Sequence, residues 1–280
     1  MDVSLIIINY NTKFITKECI DSIAVHTKDV IYEIILVDNA SSDGSKEFFS
    51  NDNRIRYIYL NRNVGFGKAN NVGYKYSTGD YIFFLNSDTI LCNNAVGIFF
   101  NAMQNLGNNI ACIGCMLKTV DGYIGYSYGD FISLRSLFLT IFRRITFRRS
   151  LYGKTVKGSY PFEVQVVLGA DMFVRRSAIN LNHGNIFDDI YFMYQEENDF
   201  QKQLHKVGLK SMIVNGPDIV HLGGASNSDG PFNIAMIRST FMYVKKWYGK
   251  FYYYVYRILY CILYTLFFLF CPIKNPRKIN

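Results

Sequence analysis

The stretch NRNVGFGKANNVGYKYSTGDYIFFLNSDT, residues 61–89, decides how the chain is read. It opens with a glycine-punctuated turn, Asn63-Val64-Gly65-Phe66-Gly67, and continues into a segment of helical character at 68–76. A short apolar run at 81–85 then delivers the chain to the polar triplet Asn86-Ser87-Asp88. Turn, helix, buried strand and a carboxylate at the strand's carboxyl end make up one half of a phosphate-and-metal site.

Working outward, the residues before this stretch repeat its rhythm. Residues 3–8 are a continuous apolar run rich in β-branched side chains, as expected of a strand covered on both faces. Residues 13–25 place Phe14, Cys19, Ile20, Ile23 and Ala24 at amphipathic-helix spacing. A second strand at 33–37 ends at Asp38-Asn39, Ser41-Ser42-Asp43-Gly44 offers caps for a helix through Phe49, and 56–60 is a third strand. Strands alternating with helices predict an α/β fold: a Rossmann-like, mostly parallel twisted sheet with helices on both faces. In such sheets ligands collect at the carboxyl ends of the strands. Polar residues fall there four times: Asn9 and Asn11, Asp38 and Asn39, Asn61 and Asn63, then Asp88.

Farther along, a helix at 95–106 and a strand near 110–115 precede a looser, basic and apolar segment, 134–151, with Arg135, Arg143, Arg144, Arg148 and Arg149. Order returns with strands at 172–175, 212–214 and 218–221, and with a helix that follows the acidic cluster Glu196-Glu197-Asn198-Asp199. A last helix at about 232–247 leads into the almost wholly apolar and aromatic run 251–271. The chain is read as an α/β domain at 1–226, with the basic insert at about 134–151, and a helical membrane-associating region at 227–280.

Composition bounds the partners. The 280 residues are 50% hydrophobic and 16% aromatic, which excludes disorder, and the net charge of +8 favours an anionic partner. The six cysteines include a single C-x-x-C, Cys112–Cys115, with no second pair to complete a zinc site. They read as buried, reduced thiols. The amino-terminal run has no basic region ahead of it and reads as a first strand rather than a signal peptide, placing the catalytic part in the cytoplasm.

Three features carry chemistry. Asp88, beyond a buried strand, suits a divalent cation bridging a diphosphate, or else caps the helix that follows. Glu196 and Glu197 are adjacent carboxylates that raise one another's pKa and so poise a general base, or else simply favour a helix amino terminus. His221, before Gly223-Gly224, is a metal ligand if the fold brings it to Asp88, and otherwise a structural histidine. Gly65-Phe66-Gly67-Lys68-Ala69-Asn70 is a broken dinucleotide fingerprint after the wrong strand, which disfavours a nicotinamide enzyme.

The ordered motifs IIINYN (6–11), VDNASSDGS (37–45), NRNVGFGKANNVG (61–73), GDYIFFLNSDT (79–89), GADMFVRR (169–176), FDDIYFMYQEENDF (187–200) and VHLGGAS (220–226) resemble the inverting glycosyltransferases of family 2, with the GT-A fold. Within that family they look like the rhamnosyltransferase-type enzymes of bacterial surface-polysaccharide synthesis. The resemblance implies that 1–226 is the catalytic domain, with a nucleotide-sugar site of Asn9, Tyr10, Asn11, Asp38, Asn63, Gly65, Asn70, Asn86, Ser87 and Asp88. Asp38 would accept a hydrogen bond from a pyrimidine ring. Asp88 and His221 would bind Mn2+ or Mg2+, and Glu197 of the Glu196-Glu197 pair would be the base. It also implies a dTDP- or UDP-linked donor and a polyprenyl-diphosphate-linked glycan acceptor. Two departures stand out: Asn86 replaces the first acid of the family's metal motif, and Glu197 stands where Asp is commoner.

The run 251–271 holds one charge, Arg257, and is just long enough to cross a hydrocarbon core of roughly 30 Å. A helix lying in the cytoplasmic leaflet is favoured over a span, and burial against the catalytic part is disfavoured because the run is apolar on every side. Segment 134–151 reads similarly, as a basic patch on anionic lipid at the cytoplasmic face of the cell membrane. No nucleic-acid module surrounds it, so nucleic acid is not an expected partner. Two other classes stay open: a nucleotidyltransferase, although NYNTKF after the first strand is not its basic glycine loop, and a non-catalytic nucleotide-sugar-binding relative.

Overall fold

Valine, leucine and isoleucine fill the first strand because both of its faces are covered. All seven residues of β1 (Val3–Asn9) are buried. After it come α1 (Lys13–His26), β2 (Tyr32–Asp38), α2 (Ser45–Phe49), β3 (Ile55–Tyr59), α3 (Phe66–Lys75), β4 (Tyr81–Asn86), β5 (Thr89–Leu91), α4 (Ala95–Asn105) and β6 (Ile110–Gly114). The second half adds β7 (Tyr128–Gly129), α5 (Leu134–Phe147), β8 (Phe162–Val164), β9 (Val166–Val167), β10 (Asp171–Arg175), α6 (Arg176–Leu181), α7 (Glu196–Lys206), β11 (Lys210–Ile213), β12 (Ile219–His221) and α8 (Ile234–Phe270). The computed structural model describes residues 1–147, 159–181, 186–223 and 233–270. Arg148, Arg149, residues 224–226 and residues 271–280 therefore lie outside the described residues.

The main sheet runs in the order β3-β2-β1-β4-β10-β6-β11-β8. The first four strands are parallel, in a register that sets Asn9 beside Asp38 and Ile8 beside Asn86. The sheet is mixed beyond that point: β10 runs antiparallel to both β4 and β6, and β8 antiparallel to β11. Residues 168–170 lie at the carboxyl edge of β4, so β10 enters from there and must run back down the sheet. Alternation along β1 splits the core in two. Val3, Leu5 and Ile7 pack with Cys19, Ile20 and Ile23 of α1 and Phe99 of α4. Ile6 and Ile8 face Ala69 of α3 and Phe200 and Leu204 of α7. Phe99 and Phe173 stack with centroids 5.5 Å apart, and deleting one such ring costs roughly 3–5 kcal/mol.

Helix α8 is two helices joined across Gly249, whose φ of 81° and ψ of 179° are not helical. The distal half corrects one expectation. One of its faces packs on its own chain, with Tyr256 buried among Leu137, Tyr191, Tyr243 and Val244. Tyrosines four residues apart line this face, Tyr248 stacking on Tyr252 and Tyr260 on Tyr264. Its other face leaves Phe251, Tyr254, Ile258 and Ile262 exposed. Among the described residues, no helix is long and apolar enough to cross a membrane.

Candidate active site

A cavity of about 380 Å³ opens at the carboxyl edge of the parallel strands, the size range of a small-molecule site. Its walls come from the ends of β1 and β4, the glycine turn before α3, the 168–170 loop, and the segment leading into α7.

On one wall stand Asn86, Ser87, Asp88 and His221. The two-stranded sheet of β5 and β12 brings them together, pairing His221 with Thr89, while Leu222 N donates to the Asp88 carbonyl at 2.9 Å. The result is His221 Nε2 at 3.2 Å from Asp88 Oδ1 and 3.4 Å from Asn86 Nδ2. The capping alternative for Asp88 is excluded. Helix α4 starts at Ala95, and its cap is Asn94, which accepts from Gly97 N. Among the described residues, no group of three or more His, Cys, Asp or Glu side chains is gathered for a metal. The donor set nevertheless fits a hard divalent cation, since such ions take one or two protein ligands and draw the rest from phosphate and water.

The same cavity is lined by Glu196 and Glu197, in the first turn of α7. Glu196 is 3% exposed, and its Oε2 has no hydrogen-bond partner among the described residues. Burial, reinforced by the neighbouring Glu197 charge, pushes its carboxyl up to about 8, so it is mostly neutral at pH 7. Burial also raises the Glu197 carboxyl, which lines the cavity and stays partly exposed. The pair thus divides into a buried neutral acid and a cavity-facing carboxylate.

The glycine turn serves close packing. A Cβ at Gly65 would meet the Phe192 carbonyl oxygen at 2.3 Å, and one at Gly67 would meet Phe187 Cβ at 3.1 Å and Glu196 Cβ at 3.4 Å. These glycines let α3 approach the acid-bearing segment. Phe66 N donates to the Phe192 carbonyl at 2.8 Å across the same contact.

Of the ten residues assigned to the nucleotide, Tyr10, Asn63, Gly65, Asn86, Ser87 and Asp88 line the cavity. Asn9, Asn11, Asp38 and Asn70 are placed elsewhere. Asn9 is fully buried, donating to Asp38 and Ser41 and accepting from Thr12 and Thr16. Asp38 is equally enclosed, accepting from Ser41 N at 2.7 Å and Tyr57 OH at 2.9 Å. In this ligand-free fold its carboxylate is spent on joining β1, β2 and β3. Asn70 donates to the Phe66 carbonyl inside α3, and Asn11 Oδ1 accepts from Ser42 N. Lining residues that were given no role include Thr12, Asn39, Phe192, Met193 and Tyr194. Asn39 holds the glycine turn, donating to Asn63 Oδ1 and accepting from Val64 N, each at 2.9 Å. Cys112 and Cys115 are buried free thiols raised by burial, whereas Cys92 and Cys261 are exposed, against the expectation that the cysteines are buried.

The family model for Glycosyl transferase family 2 matches residues 4–180. Glycosyltransferase GlyG of Streptococcus pneumoniae serotype 4 is 34% identical over 106 residues, covering 36% of this chain and 35% of GlyG. The match thus spans about a third of that relative's length. A crystal structure of GalNAc-T7 with UDP, GalNAc and Mn2+ superposes with a TM-score of 0.65 at 15% identity, covering 92% of this chain and 50% of that one. S. aureus TarS 1-349 superposes with a TM-score of 0.58 at 16% identity, covering 100% and 76%. These two likenesses establish the GT-A-like α/β fold.

Proposed function

Because the chain belongs to Glycosyl transferase family 2, we propose that it moves a sugar from a nucleoside-diphosphate donor to a hydroxyl of a glycan acceptor, inverting the anomeric centre. One observation carries this reading. A single cavity is lined both by a carboxylate of raised basicity, Glu197, and by the Asp88–His221 pair.

Glu197 takes the proton of the acceptor hydroxyl as the oxygen forms its bond to the anomeric carbon. The bond from that carbon to the diphosphate oxygen breaks, and its electron pair leaves with the nucleoside diphosphate. One in-line displacement inverts the configuration. Asp88 and His221 are the residues that would hold Mn2+ or Mg2+, and a bound cation supplies charge neutralisation for the leaving diphosphate. Tyr10 at the rim, 43% exposed, offers a ring for the nucleobase. GalNAc-T7 is a relative in fold that was solved with UDP and Mn2+, which supports a cation and a UDP- or dTDP-linked donor here.

The acceptor assigned is a lipid-linked glycan, with rhamnose or a similar sugar transferred at the cytoplasmic face of a membrane. The exposed face of Phe251, Tyr254, Ile258 and Ile262 supports this reading. So do Phe138 and Phe142 of α5, with exposed Arg135, Lys245, Lys250 and Arg257 nearby in sequence. The test of catalysis is Glu197→Gln, assayed as release of nucleoside diphosphate from a panel of UDP-, dTDP- and GDP-sugars with Mn2+. Donor binding is expected to persist while turnover collapses. Unchanged turnover would remove Glu197 from the chemistry. Vesicles of anionic lipid should bind the intact chain and lose it on truncation at 251.

A further inference from the structure

The two residues before the acids are unusual. Tyr194 and Gln195 both take left-handed backbone conformations, with φ of 69° and 72°. Each such non-glycine residue costs on the order of 1–2 kcal/mol, so the surroundings must impose the turn. Local capping does not impose it: Gln195 precedes α7 without a side-chain hydrogen bond to the helix start.

The contacts that hold the turn come from α8, which lies some forty residues later. Ser239 Oγ donates to the Met193 carbonyl at 2.7 Å, and Gln195 Nε2 donates to Thr240 Oγ1 at 3.1 Å. Asn233, just ahead of α8, donates through Nδ2 to Tyr194 OH at 2.7 Å. Ser239 is 4% exposed and Thr240 8%, so neither is replaced by water without disrupting the packing. Two turns farther on, the same helix grips the body of α7. Trp247 Nε1 donates to Asp199 Oδ1 and Lys246 Nζ to Asp199 Oδ2, each at 2.7 Å. Both the backbone before the acids and the helix after them are therefore pinned to one element.

We propose that the proximal half of α8 (234–248), acting through Ser239 and Thr240, is a positioning element that holds the 193–195 turn so that Glu197 faces the cavity. This rests on Glu197 being the base. Neither hydroxyl lines the cavity, so neither touches substrate. Their effect is on the geometry of the acids, and it is expected in turnover rather than in donor binding.

The test uses the intact chain and the double variant Ser239→Ala/Thr240→Val, with Thr240→Ser as the conservative partner. Turnover is read as nucleoside-diphosphate release from the sugar-nucleotide panel with Mn2+, and backbone order as amide exchange across 193–197. The double variant should lose about 10- to 100-fold in kcat at unchanged KM, the scale of a misplacement near 1 Å. Its 193–197 amides should exchange faster, and Thr240→Ser should keep both properties of the parent. Unchanged amides and turnover in the double variant would overturn the proposal, as would a Thr240→Ser protein as impaired as the double variant. Glu197→Gln, run alongside, separates the two failures. If it retains turnover, the assignment of the base is wrong. If it is inactive while the double variant is fully active, only the positioning role falls.

Discussion

Replacing Gly65 with alanine tests the contact that joins the glycine turn to the acid-bearing segment. Two penalties add. The backbone at Gly65 has φ of +91°, where an L side chain costs on the order of 1–2 kcal/mol. The new Cβ would also sit 2.3 Å from the Phe192 carbonyl oxygen and 3.0 Å from its Cα and carbonyl carbon, about 1 Å short of ordinary contact. The obstacle is backbone, so no rotamer relieves it, and overpacking of this kind costs about 1–3 kcal/mol. The expected loss is about 2–5 kcal/mol. Gly208→Ala provides the control: φ is +82°, with nothing within 4 Å of the added carbon, so only the first penalty, on the order of 1 kcal/mol, applies. Urea unfolding of the two variants side by side therefore isolates the Phe192 contact. The contact also predicts a catalytic effect. Phe192 lies four residues before Glu196, and a shift near 1 Å there should lower turnover on the order of 100-fold. If Gly65→Ala unfolded with Gly208→Ala and kept its turnover, the turn would have no part in placing the acids.

Three further outcomes follow from the same geometry. Glu196→Gln should keep most activity at pH 7, because the buried acid is already mostly neutral there, while the acid limb set by Glu197 stays above the ordinary carboxyl range. Its stability profile should change with a definite sign. The Glu196 carboxyl is raised on folding, so the wild type loses stability as pH climbs from the unfolded carboxyl range, about 4.3, towards about 8, and the glutamine variant should lack that decline; identical melts from pH 5 to 9 would refute it. Asp88→Ala should abolish the Mn2+-dependent part of UDP binding in calorimetry while sparing the fold, and equal binding with and without Mn2+ in both proteins would count against a cation at this site. Asp199→Ala should destabilise by about 3–5 kcal/mol, because it strips Lys246, Trp247 and Gln203 of a fully buried acceptor; a loss below about 1 kcal/mol in urea titration would show the clamp to be weak.

The parallel half of the fold was legible because its two central strands, β1 and β4, are buried on both faces and read as apolar runs. Residues 3–8 and 81–85 needed no tertiary information. The reversed strand β10 was not legible in direction, since an apolar run such as Met172-Phe173-Val174 looks the same either way. What reverses it is where the preceding loop arrives. Asp38 shows a second limit. A polar residue at a strand's end can serve a ligand or join strands, and the sequence does not show the bonds that Asp38 accepts from Asn9 of β1 and Tyr57 of β3. The packing of the distal half of α8 was hidden for a related reason. Tyrosine is apolar enough to face lipid and polar enough to bond a backbone. Tyr252 OH does the latter, accepting from Leu134 N at 2.7 Å.

Asn86 is the position where sequence and structure inform each other most. The amide leaves the triplet one negative charge short, which in sequence reads only as a weakened metal motif. In the fold, Asn86 Nδ2 and Asp88 Oδ1 both approach the same atom, His221 Nε2. The two contacts make opposite demands: the amide needs a lone pair on that nitrogen, the carboxylate needs a hydrogen. One tautomer cannot satisfy both, so the ligand-free arrangement leaves one polar contact frustrated. Asp88 and His221 would hold a cation as its ligands, which would remove that conflict and leave the Asn86 amide free to donate elsewhere. On the proposed function, the amide that lowers the site's charge would also offer a neutral donor beside the leaving diphosphate, and the conflict at His221 would be relieved by a cation that arrives with the donor.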